Sequence, residues 1–218
     1  MGFFSKLFGK KETPKEFTEE ELSRNYEEKK EGLERVLGKM NDMVGHAIIP
    51  FELGGTLDMY YFSHGIPGTG FASMELLNPD GSGPIPNRTG TYELVSFTKE
   101  AYVSDDSDSP FNKIQGRLNV IMTSIARYSY QAKLEPKETA ELPANEGQAN
   151  YCLLFDEYKP NGQDFRIGER KHGLFLVMEI FKDEMEYAMK NGSDRLIEKL
   201  KSHGHYPYSD LNRESVLK

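Results

Sequence analysis

Residues 91–130 read TYELVSFTKE AYVSDDSDSP FNKIQGRLNV IMTSIARYSY. Three kinds of structure follow one another in this stretch. Thr91–Phe97 is an apolar run of strand length. Glu100–Asp108 carries Glu100, Asp105, Asp106 and Asp108 with no basic residue, and its serines and aspartates mark a loop. Ser109–Pro110 then opens a helix, with the serine as cap and the proline at the first helical position, where its missing N–H is not needed. Phe111, Ile114, Leu118, Ile121, Met122, Ile125 and Tyr128 recur at three- and four-residue steps, which predicts a core-facing stripe as far as Tyr130.

Toward the N-terminus, Thr18 and Glu21 form a capping-box pattern, and Glu19 and Glu20 sit where a helix dipole favours negative charge. Leu22, Tyr26, Leu33, Val36, Leu37, Met40 and Val44 continue the helical spacing, predicting a helix to about Asp42 with Glu27–Glu31 on its solvated face. Ala47–Leu53, Thr56–Phe62 and Phe71–Leu77 read as strands, separated by Gly54–Gly55 and His64–Gly70, with Asn78–Gly90 leading to the strand at Thr91. On the other side, Lys133–Gln148 reads as a long loop, and Tyr151–Phe155 and Gly173–Phe181 read as strands joined by the turn-rich Lys159–Gly168. Two helices close the pattern. They are Asp183–Lys190 and, after a break at Asn191–Gly192, one capped by Ser193 and stopped by Gly204. Helix, four strands, helix, two strands, two helices is an α+β order, with a mixed, largely antiparallel sheet and helices packed on it.

Residues 18–218 are expected to form one domain, and residues 1–17 a flexible appendage that combines Phe3, Phe4, Leu7 and Phe8 with Lys6, Lys10, Lys11 and Lys15. Such a segment has at most a weak peripheral affinity for an anionic membrane, because Lys6 stands where a myristoylation pattern wants Ser or Thr. The 218 residues carry a net charge of −8, which argues against nucleic-acid binding, since phosphate affinity comes from clustered Lys and Arg. No secretory signal or membrane-spanning run is legible, and a lone Cys152 fits a reducing compartment, so a cytoplasmic location is expected.

Patterns that carry chemistry are few. His64–Gly70 bears glycines at 65, 68 and 70, but a strand rather than a helix is expected after it, so it reads as a partner-facing turn and not a phosphate cradle. His46, His64, His172, His203 and His205 lack the spacing of a zinc site, and His203 and His205 suit a helix C-terminus. Cys152 sits in an apolar strand, where burial makes a thiol inert. Met178, Met185 and Met189 read as core filling. No catalytic residue, metal or cofactor is therefore expected. The competing reading is an enzyme with a carboxylate-based pocket drawing on Asp58, Glu75 or Glu93, all on expected strands.

Several blocks together resemble the suppressor-of-fused family. Gly55-Thr56-Leu57-Asp58-Met59-Tyr60-Tyr61 is similar to its Leu-Asp entry to a strand. His64–Gly70 followed by Phe71-Ala72-Ser73-Met74-Glu75-Leu76 resembles its glycine-bearing loop and next strand. Tyr92-Glu93-Leu94-Val95 resembles the Glu-Leu strand before a long helix, and His172–Ile180 with Glu184–Leu200 its late strand and closing helices. The resemblance spans about Gly45–Arg213. It implies a non-enzymatic interaction protein. The animal member sequesters a transcription factor, clamping its peptide between two domains, and this chain is too short for both. A bacterial single-domain member would serve as an immunity protein that neutralises a toxin. Under that reading the partner is a protein, of basic character, met by His64, Gly68 and Gly70 and steered by Asp105, Asp106 and Asp108.

Overall fold

A computed structural model describes residues 16–103, 106–144, 147 and 149–218. The first fifteen residues, with the proposed membrane contact, lie outside it, as does Asp105.

Helix α1, Glu19–Leu37, begins at the expected capping box. Thr18 Oγ1 accepts from the Glu21 amide at 3.2 Å and Glu21 Oε2 accepts from the Thr18 amide at 2.9 Å. It ends four to five residues earlier than the spacing predicts. Gly38, at φ 87°, takes a backbone conformation closed to most L-residues and turns the chain, so Met40 and Val44 belong to strand β1, Met40–Gly45. The expected strand at Ala47–Leu53 is instead a loop ending in the short 3₁₀ turn Phe51–Leu53. Then come β2 (Met59–Phe62), β3 (Thr69–Ala72), β4 (Tyr92–Thr98) and α2 (Pro110–Ser129), the last capped by Ser109 as expected. The presumed loop 133–148 holds the short strand β5, Thr139–Leu142. After β6 (Tyr151–Glu157) the turn region holds another, β7 (Phe165–Ile167), before β8 (Arg170–Ile180). Helices α3 (Lys182–Asn191) and α4 (Ser193–Ser202) follow, with Gly192 rather than Ser193 at the cap position between them.

Among the described residues the strands form one sheet in the order β1-β2-β3-β4-β8-β6-β5, with β7 paired to β8. Only β4 and β8 run parallel. This is the mixed, mostly antiparallel α+β architecture the element order implies. Both faces are covered. Val95, Phe97, Leu176 and Met178 pack toward α1, α3 and α4, whereas Leu94, Phe175, Val177 and Leu153 pack toward α2. Burial on both faces explains why the central strands are continuously apolar rather than alternating.

The tail is part of the core. The Ser209 amide donates to Phe97 O at 2.8 Å, and Arg213 binds the fully buried Glu184 through both terminal nitrogens at 2.6 and 2.7 Å. Met185 is buried, but Met189, expected in the core, is 73% exposed on the outer side of α3.

Gly32 marks the close approach of α1 to β7. A Cβ there would lie 2.0 Å from Arg166 O and 3.0 Å from the Phe165 ring. Alanine gains about 1 kcal/mol in helix propensity, but overpacking against backbone costs typically 1–3 kcal/mol. Gly32→Ala is therefore expected to be net destabilising in urea unfolding, by up to about 2 kcal/mol.

Candidate interaction face and carboxylate centre

Two features mark the β1–β4 half of the sheet. The first is an open groove of about 630 Å³ whose walls include Asp42, Met43, His64, Gly68 and Tyr102. It forms because β1 is an edge strand with an irregular register. Met40 pairs with Phe62 but Val44 with Tyr60, so residues 41–43 bulge away from the ladder. Gly68, at φ 89°, closes the His64–Gly70 loop against Thr98 O and Lys99, and Thr69 Oγ1 donates to Glu100 O at 2.9 Å. The expected glycine loop and the start of the acidic loop thus border one groove. His64 is exposed at its rim and Gly68 half-buried. Gly70 is not at the surface. It is buried within β3 between Phe62 and Phe97, where a side chain would strike the Phe97 ring, so its role is packing. Asp106 and Asp108 are exposed at the entry to α2. Asp106 Oδ1 accepts from the Asp108 amide at 2.9 Å, and both charges favour the helix N-terminus.

From the groove the chain continues into residues 46–55, which wrap the end of the sheet between the helices. His46 and the Ala47 amide hold Asp58 at 2.7 and 2.8 Å, and Arg127 of α2 binds the carbonyls of Gly54 and Gly55. Phe51 packs against the core, but the other large apolar side chains of this segment, and Met43 of β1 before it, are left outside. Met43 is 58%, Ile49 55%, Leu53 77% and Ile48 fully exposed. Three of these four fall in Ala47–Leu53, which the sequence pattern alone marks as a strand.

The second feature is a carboxylate centre. Glu93 of β4 is fully buried, with Lys29 of α1 at 3.2 Å, and accepts from Ser73 Oγ at 2.6 Å and the amides of Leu76 and Leu77. Glu75, in the turn after β3, accepts from the Asp58 amide at 2.7 Å and lines a cavity of about 240 Å³ with Tyr26, Tyr60 and Lys29. Asp58, Glu75 and Glu93 are therefore neighbours, but only Glu93 lies on a strand, and the charges of Asp58 and Glu93 are already occupied. Burial, with Asp58 and Glu93 nearby, raises the Glu75 pKa to about 7, against the Asp58 amide and Lys29, which lower it. Between the ordinary value of 4.5 and 7 the unfolded chain has released this proton and the folded chain still holds it. This group's contribution to stability accordingly falls as pH rises through that window. Glu75→Gln is expected to flatten that part of the stability–pH curve, measured by urea unfolding at several pH values.

Elsewhere the charge balance reverses. Arg88, Lys137, Lys159 and Lys201 surround a cavity of about 560 Å³ beside α4, with Asp156 bonded to Lys137 and Tyr206 at its floor. Cys152 is buried in β6, where desolvation raises its pKa. His203 Nδ1 lies 2.8 Å from Lys199 O at the end of α4, in keeping with a capping role. Among the described residues no group of three or more His, Cys, Asp or Glu is placed to hold a metal, and no helix is long and apolar enough to cross a membrane.

Residues 66–214 match the family model described as Suppressor of fused protein (SUFU). The chain belongs to the suppressor-of-fused family. A solved structure described as the Sufu-Fu complex crystal structure has a similar fold, with a TM-score of 0.53 and 16% identity over 86% of this chain and 90% of that one. No curated protein matches. The SUFU match begins at Ile66, so Gly68, Tyr102, Glu75 and Glu93 fall within it, whereas α1 with Lys29, strand β1 and the exposed loop 46–55 precede it.

Proposed function

We propose that this suppressor-of-fused domain is a non-enzymatic interaction module that sequesters a protein partner at the β1 side of its sheet. The observation that carries this reading is the set of four exposed apolar side chains on edge strand β1 and the loop that follows it, Met43, Ile48, Ile49 and Leu53, the first of which lines an open groove. Clustered exposed apolar residues rimmed by polar ones mark interaction sites. Family membership and the neighbour solved as a complex support the same reading. In the immunity form of the proposal the partner is a basic toxin in the cytoplasm. The net charge of −8 and the acidic approach through Asp106 and Asp108 would then speed its association.

A carboxylate-based enzyme is the competing reading, favoured by the raised pKa of Glu75. Acid–base chemistry needs a second group free to exchange a proton, and Glu93 and Asp58 are committed to Lys29, His46 and backbone amides. The arrangement is suited to binding.

The test is affinity capture of the tagged chain from its native cell at low and high salt, repeated with Met43→Asp/Ile48→Asp. A stoichiometric partner held by the wild type and lost by the variant is expected, with weaker capture of both Asp106→Asn/Asp108→Asn and the wild type at high salt. A partner retained by the apolar-face variant would overturn the proposal.

A further inference from the structure

We propose that the cavity between Tyr26, Tyr60 and Glu75 seats one cationic side chain, a lysine or arginine of the protein partner. The inference rests on the protein-binding reading above and names the chemistry of one anchor. The cavity is about 240 Å³, the size of a single long side chain and too small for a larger ligand. Tyr26 and Tyr60 both line it, packed against one another with ring centroids 6.2 Å apart at 56°, and the half-exposed Tyr26 ring supplies a π system that a cation in the cavity would meet. Leu22, Phe51 and Met74 supply apolar wall for an alkyl stem.

The free polar capacity of the site is on the acceptor side. Glu75 Oε2 is used by the Asp58 amide, and Oε1 has no partner among the described residues. Asn25, 93% buried in the same wall, donates through Nδ2 to Leu77 O at 3.1 Å, and its Oδ1 is unpartnered. The cation already present, Lys29, is spent on Met74 O at 2.6 Å and on Glu93. A donor-rich cation therefore complements this pocket, whereas an anion would meet Glu75 and Glu52. The mouth adjoins Pro50–Glu52, the end of the exposed apolar loop, so an anchor here would continue the proposed interface.

Binding would be coupled to a proton. Glu75 faces Lys29 of α1, Glu52 of the 3₁₀ turn, Asp58 before β2, Tyr60 of β2, Glu93 of β4 and Tyr130 after α2. Only its ionised form attracts a cation strongly, so affinity rises as pH increases through about 7.

The test uses the whole chain and small probes, n-butylammonium and n-butylguanidinium, with n-butanol as the uncharged control, followed by NMR of the Tyr26 and Tyr60 rings and the Glu75 carboxyl carbon. Saturable shifts with either cation are expected, together with a lowered Glu75 pKa. Binding should weaken about tenfold or more in Glu75→Gln, which keeps the acceptor for the Asp58 amide. Tyr26→Leu should weaken it with the carboxylate intact. Equal shifts with n-butanol, or undiminished binding by Glu75→Gln, would overturn the proposal. The probes need no partner, so their failure would leave the capture result standing, and a failed capture would leave the probe result standing.

Discussion

Lys29→Met is expected to remove about 3–5 kcal/mol of folding stability, measured as the urea midpoint shift at constant slope. The reason is what the substitution leaves behind. Glu93 is fully buried on the α1 face of β4, and Lys29 Nζ at 3.2 Å is the cation that balances it. Breaking such a pair by removing one partner strands a charge in a low-dielectric interior, which costs far more than the pair is worth relative to an apolar replacement. Against a typical total of about 5–15 kcal/mol, the loss is a large fraction. The double variant Lys29→Met/Glu93→Gln separates the two effects. The neutral glutamine can still accept from the Leu76 and Leu77 amides, so the double variant is expected to be more stable than Lys29→Met alone. If Lys29→Met costs under 1 kcal/mol, the two charges do not depend on one another as described.

Arg213→Ala is expected to lower stability by about 3 kcal/mol and to loosen the C-terminal tail before the rest of the domain. Glu184 is completely buried at the start of α3, held by the forked Arg213 guanidinium and by the amides of Phe181 and Val216. Both glutamates accept from two backbone amides, but Glu184 also sits in the first turn of α3, where the helix dipole keeps the cost below that expected for Lys29. The tail has a second attachment, Ser209 and Asp210 bound to β4 and the residue after it, so it should fray from its end. Amide hydrogen exchange comparing residues 211–218 with β8 checks this. Equal acceleration of both would mean that the tail and the core open together.

The Lys29–Glu93 pair is not legible in the sequence, where Glu27–Glu31 reads as the solvated face of α1 although Lys29 is buried. Ser109–Pro110 marks α2 because a cap and an N1 proline are local signals, and the apolar runs of β4, β6 and β8 mark strands, while the cover on both faces of the sheet is visible only in the structure. The order of those elements carried the family resemblance. The boundary between α1 and β1 was hidden because Met40 and Val44 keep the helical spacing of Val36, and only the backbone conformation of Gly38 separates them. Strands β5 and β7 are short, with little apolar content beyond Leu142, Phe165 and Ile167, so neither carries a period that a window can detect. Ala47–Leu53, within the exposed loop, reads as a strand because isoleucine and leucine are the same residues whether they face a core or a partner. His64 and Gly68 read as a turn, but their groove needs Asp42 and Met43 of β1, and the helical spacing runs to about Asp42 and hides that strand. The Glu75 cavity joins segments from α1, the 3₁₀ turn and β2, and no local pattern could have brought Tyr26, Phe51 and Glu75 together.

We propose the β1 side of the sheet as the binding face. Hydrogen–deuterium exchange of the chain alone and in its captured complex tests it most directly. Slower exchange is expected in residues 40–53 and 63–68 on complex formation, with the basic cavity around Lys137 and Lys201 unchanged. Protection confined to that cavity and to α4, with residues 40–53 exchanging as in the free chain, would contradict it.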